Sequence, residues 1–210
     1  MGDVCHCPEG PVAPRARCRR DGDTLDDPWT EAEEAEDRRR IARHEAAHAI
    51  IALSLGRHVE YVTTIEDDPH AMHRGRADGP RWLHDAVLVL MAGRLGEGEL
   101  QPLDHRDCRA RIAASRTRCL GECDECKVAF FLGALWGRDR TDDELAQFWG
   151  HLRAVVLNLL NHPVIVEAID RVAAALGRRS LLLADDLEIL TNVTALRAVA
   201  AELLSQREDL

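Results

Sequence analysis

Residues 44–48 read HEAAH, the HExxH pattern, and no other segment of this chain has so clear a chemistry. Two histidines four positions apart lie on one face of a helix, where both imidazoles can reach one metal ion. Glu45 lies beside that metal position, where a carboxylate can take a proton from water and return it to a leaving amine. Zinc suits this set and keeps one position open for water. The pattern therefore predicts His44 and His48 as zinc ligands and Glu45 as the general base.

The residues around HEAAH indicate a helix that would hold the two histidines in place. Apolar residues recur with a helical period at Ile41, Ala42, Ala46, Ala49, Ile50 and Leu53. Thr30 and Glu33 have the spacing of a capping box at the start, and Gly56 stands where a helix C-terminus is expected. HExxH is short enough to occur by chance, so this helical context is what favours a metal site.

The rest of the chain predicts a mainly α fold with a small β element next to the HEAAH helix. We expect a β-branched strand at 59–65 and a loop at 66–80, where Asp-Pro and Gly-Pro pairs are typical of turns. Thr141 with Glu144, and Pro163, mark two further helix starts. The predicted helices cover residues 30–55, 81–96, 105–119, 124–136, 141–161, 163–177 and 185–206.

Composition narrows the class of protein. The 210 residues suffice for one domain, which we place at 29–210, after a flexible tail at 1–28 that holds three cysteines and four prolines. The formal net charge of −10 argues against a nucleic-acid binder that works by net attraction. No apolar run approaches the roughly 20 residues that span a bilayer, and no apolar signal core is present. The expected location is the cytoplasm.

Three segments resemble the FtsH family of ATP-dependent zinc metalloproteases. His44 to Ile65, HEAAHAIIALSLGRHVEYVTTI, resembles the catalytic helix and strand of that family. The resemblance implies that the strand at 59–65 is an edge strand, which could pair with an extended peptide. Met91 to Glu97, MAGRLGE, is similar to its GGRxAE segment, and His162 to Leu190 looks like its closing helices. The resemblance covers roughly Arg38 to Leu190 and implies a helical zinc-peptidase domain, with the first segment the most specific.

The resemblance also implies a third zinc ligand. Asp107 opens a helical stretch that ends in Arg116, much as the ligand aspartate of the family precedes a helix with an arginine at that offset. The family's Gly-rich approach is replaced here by QPLDHRD, so Asp104 stays an alternative to Asp107. Glu97 is an alternative ligand, or else a residue that supports a ligand. His105 could compete for the fourth position or donate a hydrogen bond in the transition state.

Two functions are therefore expected from the sequence. The first is a zinc-dependent endopeptidase that acts on a polypeptide substrate, either unfolded or short. Membrane-anchored members of the FtsH family carry an ATPase module, and this chain contains no GxxxxGK(S/T) loop, so the resemblance implies a separate AAA ATPase as the partner for unfolding. A homo-oligomer is also compatible with the sequence. The alternative is a non-catalytic, zinc-stabilised peptide-binding or adaptor module. A fourth protein ligand would favour this module, whereas three ligands and a water would favour the enzyme.

The cysteines leave several interpretations open. Cys119, Cys123 and Cys126 form a CxxxCxxC pattern, which is consistent with core packing, a second metal site or a disulfide. Cys5, His6, Cys7 and Cys18 could bind a soft metal within the tail.

Overall fold

The structure is a computed structural model that describes residues 5–7, 10–12, 30–65, 69–74, 80–98, 105–117, 123–136 and 139–205. These residues form a mainly helical fold with a small antiparallel sheet beside the first helix, as the sequence predicted. The helices are α1 (Glu31–Ser54), α2 (Pro80–Gly96), α3 (His105–Thr117), α4 (Asp124–Trp136), α5 (Asp142–Leu160), α6 (Pro163–Arg179), α7 (Ala184–Leu190) and α8 (Val193–Ser205). The strands are β1 (Cys5–Cys7), β2 (Gly10–Val12), β3 (His58–Thr63), β4 (His70–Arg74) and β5 (Leu181–Leu183).

Helix α1 is the central element of the core. Its start has the predicted capping box, in which Thr30 and Glu33 exchange hydrogen bonds, and Gly56 follows its end with a φ of 79°. The N-terminal half is charged and largely exposed, whereas every residue from Glu45 to Ser54 is buried. That burial on all sides arises because α2, α6, α8 and the sheet surround the C-terminal half.

Helices α2, α3, α4 and α5 form a second packed group on one side of α1. Helix α2 joins the two groups, because it packs against α1, α4 and α5. Gly93 and Gly96 of α2 permit the close contact between α1 and α2. A Cβ added at Gly96 would lie 2.4 Å from Ala47 Cβ, so a larger residue there would push the two helices apart.

The sheet differs from the sequence prediction in its topology. Its strand order is β4-β3-β5, so β3 is the central strand and not the predicted edge strand. Strand β4 lies within residues 66–80, which the Asp-Pro and Gly-Pro signals had indicated as a loop. Both errors have one cause: the five residues of β4 and the three of β5 are too short to show a strand period.

Most predicted helices are confirmed to within two residues at the ends described by the structure. The exception is the predicted helix at 185–206, which is two helices, α7 and α8. Thr191 has an extended backbone, with φ −132° and ψ 153°, and so ends α7. The Asn192 side chain then accepts a hydrogen bond from Ala195 N at 3.1 Å, which caps the start of α8.

The predicted tail is described only in part. Within residues 1–28, β1 and β2 pair as antiparallel strands, with Cys5 opposite Val12. The metal-binding interpretation of Cys5, His6, Cys7 and Cys18 depends on side chains outside the described residues. In the part of the chain that is described, no single helix is long and apolar enough to cross a bilayer. Helices α5 and α6 meet that criterion only jointly, with a bend of 78° between them.

Candidate metal centre

Three potential metal ligands from α1 and α4 converge at one point. His44 and His48 lie one turn apart on α1, with their Nε2 atoms 3.0 Å apart. Asp124, the first residue of α4, places Oδ2 3.0 Å from His44 Nε2 and 3.1 Å from His48 Nε2. Across the described residues, this is the one group of three His, Cys, Asp or Glu side chains with metal-ligand spacing.

The outer nitrogens of both rings are held by acceptors. His48 Nδ1 lies 2.7 Å from the carbonyl oxygen of Val89, which can only accept, so Nδ1 carries a proton and Nε2 is the nitrogen that faces the group. His44 Nδ1 lies 2.6 Å from Glu97 Oε1, and Arg40 donates to the other oxygen of Glu97 at 3.1 Å. A carboxylate behind a histidine orients the ring and strengthens it as a ligand. With both Nδ1 atoms already used, the two Nε2 atoms and Asp124 Oδ2 face one another, and they become three ligand atoms once a metal ion displaces the proton shared among them.

The shape of this group fits a small divalent cation. A tetrahedral zinc site with bonds of about 2.0–2.1 Å has its ligand atoms about 3.3 Å apart, close to the distances seen here. Gly93 of α2 lies against both rings. A Cβ added there would be 2.3 Å from His48 Nε2 and 2.6 Å from His44 Nε2, so it would fill the space between the ligand atoms. Glycine at this position keeps that space available for an ion.

The electrostatics of the group also favour a cation. Burial disfavours the charge of Asp124, but the two histidines outweigh that effect and hold its pKa well below the ordinary value. Burial likewise disfavours a charged His44, yet hydrogen bonds to Asp124 and Glu97 raise its pKa to about 10. The carboxylates of Asp124 and Glu97 therefore favour a positive charge at the histidines, and a divalent metal ion supplies more positive charge than one proton does.

Glu45 lies next to the two histidines but is not part of the ligand group. Its side chain is 5 % exposed, and its Oε2 atom is buried without a hydrogen-bond partner in the described part of the chain. Burial raises the pKa of Glu45, and His48 and His44 act in the opposite direction. A carboxylate that is buried and has an unused oxygen can accept a proton from a nearby water molecule.

The structure brings a different aspartate to the two histidines from the one that the sequence predicted. Asp107 lies exposed in the first turn of α3, outside the candidate ligand group, whereas Asp124 lies within it. Asp104 is outside the described residues. Glu97 contacts His44 through Nδ1 and so supports a ligand, while His105 is exposed at the start of α3.

Local sequence offers only a weak signal for Asp124. An acidic residue in the first turn also occurs in α1, α3, α5 and α7, so this position does not distinguish one aspartate from another. Asp124 is 76 positions from His48, and the packing of α2 between α1 and α4 decides that the two meet. Of the three cysteines in the CxxxCxxC pattern, Cys126 is buried, as the packing interpretation expects, Cys123 is half-buried, and Cys119 is outside the described residues.

Strand β4 contributes two further histidines near α1. His73 Nδ1 accepts a hydrogen bond from Arg57 Nε at 3.0 Å. Burial, together with the charges of Arg57 and His48, lowers the pKa of His73 to about 4. His70 Nε2 lies 2.8 Å from the Tyr61 hydroxyl. His73 is therefore neutral near pH 7, with one ring nitrogen occupied by Arg57.

Comparisons with known proteins neither extend nor contradict this description: no model of a known protein family and no curated protein matches the sequence.

Proposed function

We propose that this chain is a zinc-dependent metallopeptidase that hydrolyses unfolded or short polypeptides, in the manner implied by its resemblance to the FtsH family. The observation that carries the proposal is the convergence of His44, His48 and Asp124 beside Glu45, whose buried Oε2 atom has no hydrogen-bond partner among the described residues. Three protein ligands leave a fourth position for water, which is the arrangement of catalytic zinc sites.

The residues have separate roles in the proposed reaction. A bound zinc ion would polarise the scissile carbonyl and make water more acidic. Glu45 accepts a proton from the attacking water and then gives it to the leaving amine, so the same oxygen serves as base and acid. Glu97 keeps the His44 ring in place through Nδ1, and the Val89 carbonyl does the same for His48.

Strand β4 supports a polypeptide as the substrate. Among the described strands it is at one edge of the sheet, and it packs against α1, the helix that carries the histidines. An extended peptide added to this edge would gain main-chain hydrogen bonds. A folded domain would first need to be opened, against several kcal/mol of stability, which we assign to a separate ATPase partner.

The test pairs activity with metal content. Zinc-loaded protein should cleave casein, which is unfolded, and should leave a stable folded domain intact. Glu45→Gln should keep zinc, because Glu45 is not a ligand, and should lose about 10²–10⁴ in rate. Glu36→Gln is the matched control, since it makes the same change at an exposed position of the same helix. It should retain full activity.

The alternative function, a non-catalytic zinc-stabilised module, predicts a different result. It predicts zinc bound at the same site, no cleavage of casein by the wild-type protein, and no difference between wild type and Glu45→Gln. Cleavage that persists in Glu45→Gln would instead show that the hydrolysis arises from other residues, and the proposed mechanism would be wrong.

A further inference from the structure

A cavity of about 180 Å³ lies between α2, α3, α4 and α5, directly beside the metal group. Its wall is mainly apolar and includes Leu90, Met91, Leu95, Val128 and Trp149. Asp124 also lines it, so this one residue borders both the cavity and the metal group.

The size and lining of the cavity indicate the kind of group that it can hold. An apolar cavity of about 150 Å³ is large enough for benzene, so this one accommodates a side chain such as Leu, Met or Phe. A charged side chain would lose its hydration against the apolar part of this wall. At the rim, Arg94 pairs with Glu125 at 2.8 Å and Asp124 contacts the two histidines, while Arg153 also lines the cavity.

We propose that this cavity binds one apolar side chain of the polypeptide substrate and thereby selects which peptide bonds are cleaved. The inference rests on the proposed peptidase function. The cavity adds to that function a substrate feature, the apolar side chain, and the residues of four helices that recognise this side chain. Since Asp124 belongs to both sites, a side chain held in the cavity lies close to the reacting bond.

Gly150 of α5 offers a direct way to narrow the cavity. It lies at the exposed rim, and a Cβ added there meets no atom within 4 Å, so a side chain can enter without a clash. Gly177 of α6 has equally open surroundings and does not line the cavity. Gly150→Leu and Gly177→Leu therefore form a matched pair, which differ only in whether the new side chain reaches the cavity.

The first measurement is the kcat/KM of zinc-loaded protein on two peptides that differ in having Leu or Ala next to the cleaved bond. The wild type should prefer the Leu peptide by about 10-fold or more, the range that apolar pockets achieve. Gly150→Leu should reduce that preference, and Gly177→Leu should preserve it. An equal rate on both wild-type peptides, or a preference unchanged in Gly150→Leu, would overturn the inference. If Gly150→Leu does not fold by circular dichroism, Gly150→Ala should show a smaller reduction of the same kind.

A second measurement separates this inference from the proposed function. Trp149 lines the cavity and is only 3 % exposed, so its fluorescence reports on an occupant. N-acetyl-leucinamide should change the emission saturably, N-acetyl-glycinamide should not, and Trp149→Phe identifies the signal. If the zinc-loaded protein cleaves no peptide, the proposed function fails, and the fluorescence result still decides the cavity. No response to the leucine compound would refute the pocket.

Discussion

Replacing Gly93 with alanine tests whether the space between the histidines is a metal site. The new Cβ would lie 2.3 Å from His48 Nε2, whereas an ordinary van der Waals contact is about 3.5 Å. Either α2 or the His48 ring must therefore move by about 1 Å. Moving a ligand atom that far from an ion bound at about 2.0 Å breaks the bond between them.

Two effects of Gly93→Ala can be measured separately. The overpacked contact between α1 and α2 should lower the free energy of unfolding by about 1–3 kcal/mol, read from urea denaturation of the metal-free protein. Loss of a residue that supports a ligand typically lowers metal affinity by about 10–100-fold. Because Gly93→Ala displaces a ligand atom itself, it should lower zinc affinity by at least about 100-fold. Competition with a chromophoric chelator measures this affinity directly.

Two control variants define the result that would refute this argument. Gly177→Ala should bind zinc normally and gain about 0.5–1 kcal/mol in stability, because alanine is the better helix former. Gly96→Ala should destabilise the contact between α1 and α2 without filling the space between the histidines. If Gly93→Ala loses stability but keeps the zinc affinity of the wild type, the space beside Gly93 is not the metal site.

Two further predictions follow from the same geometry. Asp124→Asn should lose most zinc binding, whereas Asp107→Asn should keep it, as measured by metal content after dialysis; the reverse order would return the third ligand to the original sequence prediction. The lowered pKa of His73 means that the unfolded chain binds one more proton between pH 6.5 and about 4. The stability from neutral His73 is therefore complete above pH 6.5 and declines as pH falls to about 4, by about 1–3 kcal/mol. His73→Gln should flatten this part of the pH–stability curve, and an unchanged slope would contradict the assignment.

The parts of the fold that depend on local sequence were predictable. Capping boxes at Thr30 and Thr141, proline at the start of α6 and the apolar period of α1 are each set within a few residues. The position of His44 and His48 on one face follows from helix geometry alone. Local rules therefore sufficed for most of the helices, though not for the break between α7 and α8, and for two members of the candidate site.

The aspartate of the candidate site could not be predicted from local sequence. Whether Asp107 or Asp124 reaches the histidines depends on how α2, α3 and α4 stack, and both aspartates stand in the first turn of a helix. The family resemblance favoured the first of them, at a point where this sequence departs from the Gly-rich pattern. Strand β4 escaped detection for a related reason, because its pairing with β3 is a long-range contact and not a property of its five residues.

The separation of the candidate ligands along the chain has a consequence for folding. Helices α1 and α4 share few direct contacts among the described residues, with α2 packed between them. An ion held by His48 and Asp124 would act as a cross-link that closes a loop of 76 residues. Because such an ion leaves when the chain unfolds, it stabilises only the folded state, by about 2.7 kcal/mol when the free metal concentration is 100 times Kd. Without the metal, α1 and the group formed by α2, α3, α4 and α5 should unfold less cooperatively. Hydrogen exchange should then show the amide protons of α4 exchanging before those of α1.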